Sequence, residues 1–303
     1  MNDFSAQIIA ELCAFGNPRK PGEVYDSFIA LLFFVDYFCA AAGEFMSNII
    51  ALITDFGTAD YFVGAMKGVI LSINPAARII DITHEIAAQN IASAGFALRA
   101  CYREFPKKTI FVAVVDPGVG SNRKAILVET EDYFFIAPDN GLLSFVFNET
   151  GNFRVYELAN ENFFRRPISR TFHGRDVFAP VAAHLSKGIN PKEFGAETND
   201  YVYKAENKPK NLGENEIAAE IIHIDRFGNL IANFRKEEAP ENFSLEIAGK
   251  TIEKIRDYYS EAERSEIFMI WGSAGFLEII VFQDSAAELL KVETGQKIIV
   301  RKP

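Results

Sequence analysis

From Ile49 onward, short unbroken apolar runs alternate with segments of helical period, and that alternation leaves few folds open to the chain. Ile49–Thr54 reads as a buried strand, and Tyr61–Ile73 as a helix stopped before Asn74-Pro75. Ala77–Ile82 is the next strand and Ile91–Phe105 the next helix, ended by Pro106. Thr109–Val115, rich in Val, Ile and Phe and closed by Asp116-Pro117-Gly118, is the clearest strand of all. Ala125–Glu129 and Tyr133–Ala137 read as strands joined by a turn at Glu131-Asp132, and Phe178–Lys187 as a helix closed by Gly188. This pattern predicts an α/β domain with a largely parallel sheet over residues 46–205.

A polar stretch follows, Lys204–Glu214, which contains Pro209 and Gly213 and reads as an interdomain linker. Beyond it come only strand signals: Glu216–Asp225, Leu230–Phe234, Phe243–Ile247, Ile267–Trp271, Phe276–Phe282 and Lys297–Arg301. Short strands at such spacing predict a small all-β barrel or sandwich over residues 213–303.

Residues 1–45 stand apart. Six acidic residues against Arg19 and Lys20 give them four of the chain's ten net negative charges. Their apolar run, Phe28–Ala42, is interrupted by Asp36 and falls short of the ~20 residues of a membrane-spanning helix. A signal peptide begins with a basic region, and this segment begins acidic. We read it as an extension upstream of a natural start at Met46, with a signal or anchor as the alternative. A chain starting at Met46 is expected to fold and assemble like the whole.

With 41 Asp and Glu against 31 Lys and Arg, and no basic run, the chain is a poor partner for nucleic acid or an anionic membrane. Cys13, Cys39 and Cys101 make neither a CxxC pair nor a disulfide framework, which points to a reduced, cytoplasmic setting. His84, His173, His184 and His223 are not spaced as zinc ligands, so no metal is expected.

In an open α/β sheet, ligands bind beyond the carboxyl ends of the strands. Three polar, glycine-bearing loops lie at such ends: Thr54–Asp60, Asp116–Arg123 and Phe172–Asp176. Taken singly, each also reads as a plain turn, with Asp60 capping the next helix. Asp55 differs, because it ends a buried strand and has no turn of its own to cap. The loop after Asp116 leads into a strand and lacks both GxGxxG and GxxxxGK[ST], which argues against triphosphate chemistry, and no GxSxG marks an acyl-transfer serine. In the β region, Ile224–Asn233 sets Phe227 beside Asn229, a pairing suited to stacking on and hydrogen bonding a nucleobase. A hairpin turn at Gly228-Asn229 is the alternative.

Taken together, ITDFG, VVDPGVGSxR, APDNGLL, FHGRD and IDRFGN, in that order from about Ile49 to Val300, resemble the S-adenosylmethionine (SAM) hydroxide adenosyltransferases, adenosine-forming SAM hydrolases related to fluorinases and chlorinases. The resemblance implies an α/β domain joined to a small β-barrel, assembled as a homotrimer with the active site between neighbouring subunits. It implies that SAM is the substrate and that no cofactor is needed. It puts Asp55 on both ribose hydroxyls, Asp60 and Asp225 near the methionine ammonium, and Ser273 at the methionine carboxylate. Phe227 and Asn229 fall on the adenine positions, and Asp116, Arg123 and His173 on the catalytic triad. A carboxylate suits the ribose because it accepts two donors at once. A neutral His173 is expected to take the water's proton, with Asp116 orienting the pair and Arg123 stabilising negative charge.

Without the resemblance, His173 reads as a structural histidine and Arg123 as an ion-pair partner of Asp132 or Glu129. The chain departs from the pattern at Gly272-Ser273-Ala274-Gly275, where the hydrolases usually have Asn-Ser-x-Gly, and carries Gln89 where the halogenases have tryptophan. Halogenases also put an aromatic residue where Asp116 stands and a tyrosine where His173 stands. The competing functions are such a halogenase and a non-catalytic SAM or nucleoside sensor.

Overall fold

The computed structural model describes residues 48–303, so the readings of the 1–45 extension lie outside the described residues. Strand β1 (Ile49–Thr54) is buried on both faces. Ile50 and Leu52 point into one core with Met66 and Ile70, while Ala51 and Ile53 point into another with Ala94 and Leu98. A strand covered on both faces has no use for polar alternation, which is why the run is continuously apolar. Each fully buried Ile or Leu contributes about 2 kcal/mol.

The helices that cover the sheet are α1 (Phe62–Ile73), α2 (Ile91–Cys101) and α4 (Ala179–Ser186), with a shorter α3 (Ser144–Glu149) between the last two. Val63, Met66 and Ile70 form the buried stripe of α1, and the Asn90 side chain caps α2 by accepting from the Ser93 N–H. The region read as one helix to Phe105 becomes a 3₁₀ turn after Cys101.

The sheet runs β2 (Arg78–Thr83), β1, β3 (Ile110–Val114), β5 (Phe134–Pro138), β4 (Ala125–Thr130), β6 (Phe153–Glu157). Pairings along β2-β1-β3-β5 are parallel, and β4 runs antiparallel to both neighbours, as a hairpin with β5 requires. Strand β6 and helix α3 have no clear period in the sequence. Because Thr54 pairs with Val114, the loops beginning at Asp55 and Asp116 leave the same sheet edge side by side.

Eight strands build the second half: β7 (Lys210–Asn211), β8 (Glu216–Ile224), β9 (Leu230–Arg235), β10 (Ser244–Ile247), β11 (Lys250–Ile252), β12 (Ile267–Trp271), β13 (Phe276–Val281) and β14 (Lys297–Arg301). Pairing follows β11-β10-β14-β8-β9-β13-β12, all antiparallel. A bridge from Ile255 to Met269 brings the ends of the sheet together into a nearly closed barrel. Ile217, Ala219 and Ile221 alternate into its core with Leu245, Leu277 and Val300. This half is not purely β: Ala286–Leu290 forms a short helix, α5, whose Ser285 side chain accepts from the Glu288 N–H. Strand β7 lies within the stretch read as a linker.

The halves meet where α2 packs on β8. Ser93 Oγ lies 3.2 Å from His223 Nδ1, and the His223 ring stacks on Phe96 at 4.8 Å. Arg99 donates to Glu149 and to Glu206, tying α2 to α3 and to the connecting chain. Among the described residues no helix is long and apolar enough to cross a membrane.

Candidate active site

Asp116, Arg123 and His173 form one cluster. Arg123 Nε donates to Asp116 Oδ1 at 2.9 Å and Oδ2 at 3.0 Å, and Arg123 Nη2 bonds to Asp116 as well. The same Nη2 lies 2.9 Å from His173 Nδ1. The Asp116 and Arg123 side chains are only 5% and 10% exposed, so the pair is desolvated and its geometry held. Arg123 also lies over the Phe178 ring, 5.3 Å from its centroid. The surface pairing of Arg123 with Asp132 or Glu129 does not occur: Lys107 pairs with Asp132, and Arg154 with Glu129.

A guanidinium has only donors. His173 Nδ1 must therefore accept, which makes the ring neutral with its proton on Nε2. Burial, and then the Arg123 charge, hold the His173 pKa below its ordinary value of 6.5, in keeping with a neutral ring.

Two devices dock the loops that carry this cluster. Gly120 has φ +77°, and a Cβ there would lie 2.3 Å from the Arg170 carbonyl oxygen, so only glycine lets the Asp116–Arg123 loop close onto the segment leading to His173. Asp176, fully buried, accepts from Arg175, Arg165 and the Ser169 N–H. Burial alone would raise its pKa, but those donors hold it below the ordinary range. Asp176 lies in a π-helical turn, Gly174–Phe178, where the sequence reads only the start of a helix at Phe178. The FHGRD stretch contains Asp176, but nothing in the sequence marks it as an anchor.

Asp55 is half-buried, and its Oδ2 accepts from the Gln89 N–H at 2.8 Å. Its neighbour Phe56 packs edge-on against Phe172, so the Asp55 loop adjoins the His173 loop. Asp60 is exposed and makes no cap: the residue before α1 is Tyr61, and no side chain bonds the helix end.

In the barrel, Asp225 Oδ1 accepts from the N–H groups of Phe227 and Asn229 at 2.8 and 2.9 Å, and Oδ2 from Asn229 Nδ2 at 2.8 Å. These bonds shape the turn and leave Phe227 standing out, 76% exposed. Phe227 and Asn229 line a cleft of about 520 Å³ with Tyr259, Phe282, Gln283 and Asp284. Nothing in the sequence marks Tyr259 as a lining residue. Ser273 is exposed in the β12–β13 turn. Beside it, a Cβ on Gly272 would fall 1.9 Å from Glu278 Oε1, so the glycine that replaces the usual asparagine accommodates that carboxylate. Burial, and then Asp225, raise the Glu278 pKa.

Among the described residues no hydrogen bond, ion pair or ring contact joins Asp55, Asp116, Arg123 or His173 to Asp225, Phe227, Asn229 or Ser273. Nor do three His, Cys, Asp or Glu side chains converge there as a metal site.

Strand-end loops gathering a desolvated Asp–Arg–His cluster, coupled to a barrel with an aromatic cleft, define a two-domain scaffold for small-molecule chemistry. The family model of the SAM hydroxide adenosyltransferase N-terminal domain matches residues 50–195, and that of the C-terminal domain matches residues 219–299. The chain belongs to the SAM hydroxide adenosyltransferase family. It is 40% identical to the (R)-S-adenosyl-L-methionine hydrolase of Methanocaldococcus jannaschii, over 81% of this chain and 93% of that protein. A fluorinase from an Actinoplanes species is 28% identical over 63% of this chain and 72% of that protein. The crystal structure of an uncharacterized conserved protein from Thermotoga maritima superposes with a TM-score of 0.78 at 36% identity, covering 84% of this chain and 100% of that one.

Proposed function

We propose that the protein hydrolyses SAM at ribose C5′, giving adenosine and L-methionine. The observation that carries this reading is the Asp116–Arg123–His173 cluster beside the Asp55 loop, in a chain similar to a named SAM hydrolase over most of its length. Water attacks C5′ as the C5′–S bond breaks. The bonding pair goes to sulfur, which turns the sulfonium into the neutral thioether of methionine and needs no acid on that side. The remaining task is to aim the water and favour its hydroxide form.

The hydrogen bond of His173 supports a donor role in place of the expected general-base role. With Nδ1 accepting from Arg123, the neutral ring presents Nε2–H. His173 and Arg123 then act as donors that stabilise the oxygen nucleophile as it loses a proton to solvent, while Asp116 holds the guanidinium in place. Asp55 binds the ribose diol. Asp225 and Asp60 serve the methionine ammonium and Ser273 its carboxylate; Phe227 stacks on adenine and Asn229 bonds it.

The two residue sets belong to one site completed by neighbouring copies in a homotrimer. The exposure of Phe227 over an open cleft supports this, and among the described residues no bond joins the two sets. SAM is the only small molecule the reading requires, and the cytoplasm remains the proposed setting. Incubation with SAM in halide-free buffer should release adenosine and methionine in equal amounts by chromatography. Tight binding without turnover would favour a sensor, and turnover only with added chloride or fluoride would favour a halogenase.

A further inference from the structure

A single segment clamps the loop that carries Asp55. His84 Nδ1 meets Thr54 Oγ1 at 2.9 Å, and the Gly57 N–H donates to the His84 carbonyl at 2.8 Å. Thr58 Oγ1 donates to Glu85 Oε1 at 3.1 Å, and the Gln89 N–H donates to Asp55 Oδ2 at 2.8 Å. Thr54 is fully buried and His84 is 4% exposed, so neither group can turn to water instead. Thr54 Oγ1 also accepts from the Phe56 N–H at 3.2 Å, which directs its own proton toward His84 Nδ1. On the far side of the ring, Nε2 lies 3.0 Å from Asp81 Oδ1, off the line of a well-aligned hydrogen bond, and Asp81 Oδ2 accepts from Lys67 at 2.6 Å. Gln89 holds φ +64°, a left-handed conformation that aims its N–H at Asp55.

We propose that His84 is a positioning residue for the ribose subsite: through Thr54 it fixes the end of β1 so that Asp55, held at Oδ2 by the Gln89 N–H, presents Oδ1 to the ribose hydroxyls. This rests on the SAM-hydrolase reading above. A carboxylate whose rotation is fixed discriminates against a sugar that lacks one hydroxyl, because a directed acceptor then goes unpaired. If the clamp is loosened, the carboxylate turns to follow the remaining hydroxyl, and discrimination shrinks.

The test is calorimetry with adenosine and with 2′-deoxyadenosine on the full chain and on T54V, T54S, H84N and D55A. Thr54→Val removes the hydroxyl at constant shape. It should weaken adenosine roughly tenfold and bring the ribose to deoxyribose affinity ratio toward one, with the steady-state loss lying in KM. Thr54→Ser keeps the hydroxyl and His84→Asn sets an amide where Nδ1 stands, so both should retain most of the wild-type ratio. A folded Thr54→Val protein that keeps the wild-type ratio, while Asp55→Ala loses adenosine, overturns the positioning role alone. Undiminished adenosine affinity in Asp55→Ala overturns the ribose reading and the positioning role with it.

Discussion

Arg123 Nη2 lies 2.9 Å from His173 Nδ1, which makes the imidazole an acceptor on that side and leaves Nε2–H as its free face. A side chain that supplies a donor there can substitute in part, whereas a base cannot be replaced by an amide. His173→Ala should lower kcat by roughly 10²–10⁴, and His173→Gln, which carries an amide N–H in reach of the same position, should lose measurably less. Equal losses in the two variants would restore the general-base role. Wild-type kcat should fall only below pH 6.5, where the ring finally protonates and its Nδ1–H meets the guanidinium. An acid limb centred above pH 6.5 would contradict a pKa lowered by burial and by Arg123.

Arg123→Ala removes both the nucleophile's cationic donor and the partner of a desolvated carboxylate. Asp116→Asn turns an amide N–H toward the guanidinium it was meant to hold. In the proposed reading neither residue contacts the adenosine or methionine end of SAM. Each should cut kcat by roughly 10²–10⁴ while KM for SAM stays within a few-fold. A rise in KM at constant kcat would move these residues from the chemistry to the binding of substrate.

Sites shared between copies have a signature that sites within one chain lack. His173→Ala and Phe227→Ala chains should each be nearly inactive alone. After dissociation and reassembly as a mixture, activity should return, because some sites then join an intact α/β half from one chain to an intact barrel from another. No recovery in a mixed, fully reassembled sample would place the whole site within one chain.

His223, packed between Phe96 and Ser93, sits with its pKa lowered by burial, against a smaller opposing pull from Asp225. A histidine whose folded pKa is below its unfolded value contributes stability that is complete above about pH 6.5 and lost as the pH falls below it. His173 and His184 are shifted the same way. Tm should fall as the pH drops from 7 toward 5, and the slope should flatten in His223→Phe. An unchanged slope in that variant would show that His223 does not couple the interface between the halves to pH.

Strands β1, β12 and β14 are legible to the residue, because each is a β-rich apolar run bounded by turn or polar residues. Strand β6 is not: Phe153–Glu157 has Arg154 on an outer edge and only two fully buried positions, a weak period in so short a run. Helix α3 fails for a similar reason, since the apolar core of SFVFNE fits either period over six residues. Within the site, the motifs mark Asp116, Arg123 and His173, but the bond from Arg123 to His173 spans fifty residues and belongs to tertiary structure. Asp139 and Asn140, in the equally prominent APDNGLL stretch, serve the scaffold instead: Asp139 accepts from the Val202 N–H, and Asn140 donates to the Val115 carbonyl. The Gln89 N–H on Asp55 leaves no mark in the sequence, because a backbone donor is independent of residue type.

Turnover of SAM in ¹⁸O-labelled water, with both products weighed by mass spectrometry, tests the attack of water on C5′ directly. Attack of water on C5′ predicts one labelled oxygen in the 5′-hydroxyl of adenosine and none in methionine. Adenosine formed without label, or a 5′-halogenated nucleoside in its place, would rule out water as the nucleophile.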